Sequence, residues 1–125
     1  MKVNFGKGFN DQLKDQNVED LKKILTFVEY VTNYGLSGNP GLNKKSDNVN
    51  ENYHLATEME IFAQKHKLWH YHVGIPHYNT TKGIRRYTSE KVIHYQRYPD
   101  SIKLVLLGDH SPFRLPQKYQ LEHLI

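Results

Sequence analysis

The stretch Leu68-Trp69-His70-Tyr71-His72-Val73-Gly74-Ile75 alternates without a break, with Trp69, Tyr71, Val73 and Ile75 at one parity and Leu68, His70, His72 and Gly74 at the other. Successive side chains of an extended chain point to opposite faces. The octet therefore reads as a strand whose aromatic and aliphatic face meets a core and whose histidines turn outward. Pro76 stops it, and Asn79 to Gly83 makes a polar turn. Downstream, Ile84 to Thr88 and Lys91 to Tyr98 are rich in β-formers, Pro99-Asp100 turns the chain, and Ile102 to Leu107 is the most apolar run in the protein. That run reads as a central strand ended by Gly108-Asp109, with a loop and one short helix from Pro112 to Ile125.

Upstream the period changes. Val3 to Phe5 suits a short first strand, Gly6 and Gly8 a turn, and Phe9 with Leu13 the start of a weak helical face. From Val18, the residues Leu21, Ile24, Leu25, Val28 and Val31 recur at helical spacing, Asn17 can cap the start and Gly35 can end it. This predicts a helix of about four turns covering the sheet. Residues 35–52 are dominated by Gly, Ser, Asn and Lys and read as turns and an exposed loop, in which Lys44 and Lys45 add to a basic surface. Tyr53 to Gln64 fits two periods, a short helix through Leu55, Met59 and Phe62 or a strand through Met59, Ile61 and Ala63. It is read as an extended hairpin arm. The expected fold is α+β, a small twisted antiparallel sheet of about four strands with N-terminal helices on one face, forming a single domain over residues 1–125.

Composition narrows the chemistry. The absence of cysteine excludes disulfides, thiolate metal sites and a cysteine nucleophile. The start of the chain lacks the apolar stretch of a signal peptide and no window approaches the length of a membrane span, so the expected location is the cytoplasm, away from membranes. Charge is unevenly placed. Residues 64–125 hold ten Lys and Arg against four Asp and Glu, whereas residues 1–63 hold seven against nine, so the net +4 comes entirely from the second half. A basic half of this kind points to a polyanionic partner.

That half also carries the reactive side chains. His70 and His72 share a strand face, where a pair of imidazoles can serve as acid and base or bind a divalent metal with His77 or His94 as a further ligand. The densest cationic spot is Arg85-Arg86-Tyr87-Thr88, with Lys82 before it and Lys91 after it. A guanidinium fork matches phosphate, and a neighbouring tyrosine can stack on a base. His94-Tyr95 continues the pattern, His110 stands at the exit of the apolar strand, and Arg114 and Lys118 follow in the tail. RNA is cleaved without metal when its 2′-hydroxyl attacks the adjacent phosphate, given a proton acceptor, a proton donor and cations against the developing charge. No P-loop, dinucleotide fingerprint, serine-hydrolase elbow or zinc-protease motif is present.

The segment Gly83-Ile84-Arg85-Arg86-Tyr87-Thr88-Ser89-Glu90-Lys91-Val92-Ile93-His94-Tyr95, then Asp100 to Leu107, then Asp109-His110, resembles toxins of the RelE/ParE superfamily of bacterial toxin–antitoxin systems, in particular the YoeB-like and YafO-like mRNA interferases. The resemblance covers roughly residues 66–110. It implies a RelE-like fold, cleavage of translated mRNA on the ribosome with no cofactor, and inhibition by a cognate antitoxin protein. It also implies a site on the sheet's concave face. Arg85 or Arg86 would stabilise the phosphate, His110 would act as acid or base, and Tyr87 or Tyr95 would position the RNA. Further RNA contacts would come from Lys82, Lys91, His94, His70, His72, Arg114 and Lys118. About fifteen residues follow His110 where YoeB-like toxins stop, an extension that a YafO-like arrangement accommodates better. ParE-like members of the superfamily act on gyrase instead of RNA. The alternatives are a nucleic-acid-binding module without catalysis, a metal-dependent enzyme built on His70 and His72, and an adaptor whose basic face meets an acidic protein.

Overall fold

The apolar run of the sequence becomes an interior strand of a five-stranded sheet. A computed structural model describes residues 1–47, 56–84, 86–111 and 113–121. In chain order the elements are β1 (Lys2–Phe5), α1 (Lys7–Leu13), α2 (Val18–Tyr34), β2 (Asn43–Lys45), α3 (Ala56–Lys65), β3 (Leu68–His72), β4 (Lys91–Arg97), β5 (Ser101–Asp109) and α4 (Lys118–Leu121). The strands lie in the order β1-β5-β4-β3-β2. Three neighbouring pairs are antiparallel, while β1 runs parallel to β5 with Val3 opposite Ile102. The fold is thus α+β, with five strands and a mixed sheet where four antiparallel strands were expected.

Local chemistry explains α2. The Asn17 side chain accepts a hydrogen bond from the Asp20 N–H at 2.8 Å, Glu19 and Asp20 place negative charge in the first turn, and Gly35 ends the helix at φ +83°. Ile24, Phe27 and Val31 form its buried stripe, whereas Leu25 faces solvent, so the inward face is rotated from the one the leucines suggest. Phe27 stacks on Tyr71 with ring centroids 4.2 Å apart. With Phe9, Tyr71, Val73, Ile75, Ile93, Tyr95, Ile102 and Leu104 these residues make the main core between the helices and the first face of the sheet.

The second face is divided. At one end α3, α4 and the preceding tail cover it, through Ala63, Leu68, Val105 and Leu121 with Phe62, Leu106 and Leu115 against them. From Ala56 onward α3 corrects the expected hairpin arm, Tyr53 to Leu55 lying outside the described residues: the stretch is helical because a helix lets Phe62 and Ala63 cap this cluster. At the other end the second face carries histidines, which are buried and do not point into water as the alternation suggested. A register shift sets this up. His94 pairs with Leu106 but Tyr95 pairs with Leu104, leaving Val105 as an extra residue that bends β5.

Two segments departed from expectation for tertiary reasons. Asn43–Lys45 lies in the expected loop yet pairs with β3, and the described residues of the expected strand Ile84 to Thr88, which leave out Arg85, contribute the isolated bridges Gly41–Tyr87 and Asn79–Thr88. Gly41 sits where those strands meet. Its N–H donates to the Tyr71 hydroxyl at 3.2 Å, and a Cβ there would lie inside the contact shell of the His72 carbonyl and 2.8 Å from the Tyr71 ring. Gly41→Ala is therefore expected to destabilise the fold by about 1–3 kcal/mol through forced backbone displacement. Urea unfolding of the variant against the parent checks this, and an unchanged midpoint would show that the junction yields freely.

Candidate active site

Strand geometry collects the histidines. Alternation places His70 and His72 on one face of β3, the ladder sets His94 of β4 directly opposite His70, and the chain leaving β5 delivers His110. The His110 N–H donates to the Glu90 carbonyl at 2.7 Å, which fixes that exit. Ring centroids are 4.7 Å apart for His72 and His110, 5.8 Å for His70 and His72, 6.0 Å for His70 and His110, and 6.3 Å for His70 and His94. One ring nitrogen from each of His70, His72 and His110 lies within 4.8 Å of the others. Phe113 closes the group, with its ring 4.8 Å from His70, 5.3 Å from His94 and 5.8 Å from His110.

The members differ in exposure and in partners. His94, His72 and His70 retain 0%, 1% and 5% of their accessible surface, while His110 faces solvent. His70 Nδ1 is 2.9 Å from the Ser46 hydroxyl, which can donate or accept. His72 Nδ1 is 2.9 Å from the Ser89 N–H and 3.0 Å from the Ser89 carbonyl. One residue can thus hold either tautomer of that ring, as acceptor from the N–H or as donor to the carbonyl. Ser89 is itself fixed, its hydroxyl donating to the Lys91 carbonyl and accepting from the Gly74 N–H. His94 is the exception. Among the described residues neither of its buried nitrogens has a hydrogen-bond partner. Gly108 leaves room for that ring, since a Cβ there would come within 3.2 Å of His94 Nε2.

Burial dominates the electrostatics. Desolvation, then the neighbouring His94, His72 and His110, pushes His70 down to about 2. Burial lowers His72 to about 4 against an opposing backbone bond to Ser89, and burial with His110 lowers His94 to about 4. His110 is lowered too, by burial and then by Lys44 and Lys82. The cluster is neutral near pH 7, with lone pairs available, and the cations acting on it are Lys44 and Lys82. Beside His110 opens a cavity of about 460 Å³, lined by Lys82, His77, Asn79, Ser89 and Glu90 among others. A second cavity of about 420 Å³ lies at the opposite end of β3 and β4, where the Arg97 guanidinium sits 4.6 Å and Lys45 5.9 Å from the Trp69 ring. It offers cations, an aromatic wall and the carboxylate of Asp47, and none of the cluster's imidazoles.

The structure separates the expected site residues. It brings together His70, His72, His94 and His110, with Lys82 at the rim. Arg85 lies outside the described residues, and Arg86 is exposed in the loop, its backbone bonded to Gly83. Tyr87 packs on Tyr78 with centroids 5.7 Å apart. Tyr95 is fully buried on the helix-facing side, with its hydroxyl donating to Asn43 at 2.9 Å. Lys91 pairs with Asp109 at 2.6 Å, and Arg114 and Lys118 are exposed in the tail. Sequence reasoning missed Phe113, Ser46 and Ser89 as partners of the imidazoles. No spacing marks the serines, and the only trace of Phe113 is its position three residues after His110.

Comparison of the chain with protein-family models, with curated proteins and with solved structures finds no match. Among the described residues no helix is long and apolar enough to cross a membrane.

A buried imidazole with both nitrogens unpaired opposes folding, so His94→Leu is expected to stabilise the protein by about 1 kcal/mol. The sign of the pH dependence follows. The unfolded His94 binds a proton with ordinary affinity near pH 6.5 and the folded one only near pH 4, so the unfolded state holds more protons at pH 5. Wild-type stability should fall between pH 7 and pH 5, and His94→Leu should lose less. Urea midpoints at the two pH values test both statements, and a destabilised variant would count against them.

Proposed function

We propose that the protein is a small endoribonuclease of the toxin type, cleaving translated mRNA on the ribosome by attack of the RNA's own 2′-hydroxyl and restrained by a cognate antitoxin. One observation carries the reading: several neutral imidazoles, held by a rigid sheet and two serines, reach a cavity through His110, with Lys44 and Lys82 near enough to act on His72 and His110. The resemblance of residues 66–110 to RelE/ParE-superfamily toxins supplies the substrate class and the antitoxin.

Neutral imidazoles are the bases this reaction needs. A ring nitrogen of His72 takes the 2′-hydroxyl proton as the 2′-oxygen forms its bond to phosphorus. Ser89 holds the His72 ring in either tautomer, so the proton shift leaves its anchor intact. The phosphorus–O5′ bond breaks, giving a 2′,3′-cyclic phosphate and a 5′-hydroxyl. The leaving O5′ receives a proton from His110, the solvent-facing member. Bringing a phosphate anion against His110 favours its protonated form and so loads the acid when substrate is bound. Lys82 and Lys44 act against the developing charge. Phe113 gives an apolar wall on which a base adjoining the scissile phosphate can stack.

Controlled expression in bacteria, with primer extension on a translated reporter mRNA, tests the proposal. New 5′ ends within the coding region should accompany growth arrest. His72→Ala and His110→Ala should each lower cleavage by about 10²–10⁴-fold, and Lys82→Ala by about tenfold, the cost of one charged contact. Growth arrest with intact mRNA, or full cleavage by His110→Ala, would overturn it. Salt-sensitive RNA binding without new ends would favour the binding module.

A further inference from the structure

We infer that His70, His72 and His110, with His94 beside them, form a binding site for one divalent transition-metal ion of the zinc type. The first argument is distance. In tetrahedral zinc sites nitrogen ligands stand about 2.0–2.1 Å from the ion, which places them about 3.4 Å from one another. The three ring nitrogens already lie within 4.8 Å of one another, and exposed His110 can turn to close the difference. The second argument is support. A metal-bound imidazole is oriented by a hydrogen bond at its other nitrogen. Ser46 gives this to His70 Nδ1 and the Ser89 carbonyl gives it to His72 Nδ1, leaving Nε2 of each ring for the ion.

His94 makes the third argument and is independent of the first two. Proton transfer by His72 and His110 gives no reason to bury, beside His70, an imidazole with two orphan nitrogens. A metal ion, or a water bound to it, supplies the missing partner. Ligand type selects the ion: neutral imidazoles suit zinc, copper, nickel and cobalt, whereas magnesium and calcium require oxygen. The nearby Lys44 and Lys82 weaken cation binding, and an anion or hydroxide at an open coordination position offsets them. A bound ion occupies the lone pairs that would take a proton from RNA, so occupancy shuts the site off. That consequence rests on the nuclease reading, whereas the metal site does not.

The test uses tag-free protein stripped with a chelator, dialysed and titrated with Co²⁺ and Zn²⁺ in the absence of RNA. Expected are one equivalent of bound metal and a visible Co²⁺ absorption with the intensity of four-coordination. His72→Ala and His110→Ala should each weaken binding at least about a hundredfold, and Ser46→Ala about tenfold. His66→Ala, in the turn between α3 and β3, should leave binding unchanged. His110 is exposed, so its replacement keeps the test valid if His72→Ala misfolds. Sub-stoichiometric binding, or an affinity that His110→Ala does not alter, would overturn the site. RNA cleavage is measured in parallel: one equivalent of Zn²⁺ should suppress it and chelator should restore it. Cleavage that persists with metal bound would overturn the inhibitory role alone, and metal binding by a protein that cleaves no RNA would leave the site standing without the nuclease.

Discussion

The cross-strand placement of His94 against His70 is the constraint around which the molecule is organised. A β-ladder fixes such neighbours rigidly, so the two imidazoles cannot move apart without breaking the sheet. Alternation then adds His72, and the bulge at Val105 re-aims the end of β5 so that Gly108 lies under the His94 ring. Everything added to this nucleus removes water from it: Phe113 on one side, β2 with Ser46 on another, and the Ser89 loop beyond. Desolvation is consequently the largest influence on every ring in the group. The arrangement works against stability, and the main core on the opposite face offsets that cost, each buried Ile, Val or Phe of α2 contributing about 1.5–3 kcal/mol.

The two faces of the sheet divide the work. The helix-facing side is aromatic and aliphatic throughout, and even its tyrosines are committed: Tyr71 to Gly41 and Tyr78, Tyr95 to Asn43. Polar chemistry is confined to half of the other side, where α3 and α4 stop short and the cavity next to His110 opens. The cations near the cluster follow the same logic. Lys44 enters because β2 pairs with β3, and Lys82 because the loop after β3 folds back toward β4, two positions 38 residues apart that only the fold joins.

Elements with a strong period were legible in the sequence. α2, β3 and β5 follow from helical spacing or alternation near the places expected, and the pairing of His70 with His72 on one face follows from β3 alone. β2 was not legible, because Asn43-Lys44-Lys45 has neither β-branched nor aromatic residues and is extended only through its partner strand. α3 was misjudged because its apolar residues fit two periods equally, and its contacts with Leu68 decide between them. The same limit applies to the site. Four histidines were visible as residues, but that three of them are buried depends on Phe113 and Ser46, which lie far along the chain from the strands they cover. Composition counts cations without saying which ones lie near the imidazoles, and Lys44 shows this, since β2 pairing brings it there.

The parallel pairing of Lys2–Phe5 with Ser101–Leu104 joins segments far apart in sequence. During synthesis, then, β1 emerges about a hundred positions ahead of its partner β5, and Phe27 and Val31 of the helix α2 must wait for Tyr71, Tyr95 and Ile102. Closing so large a loop before any contact rewards it makes folding slow and late, a property of topology more than of stability. A ribosome that has not yet made the strands after α2 carries an amphipathic helix without its covering sheet, and the imidazole cluster is assembled only after its last member, His110, has been made.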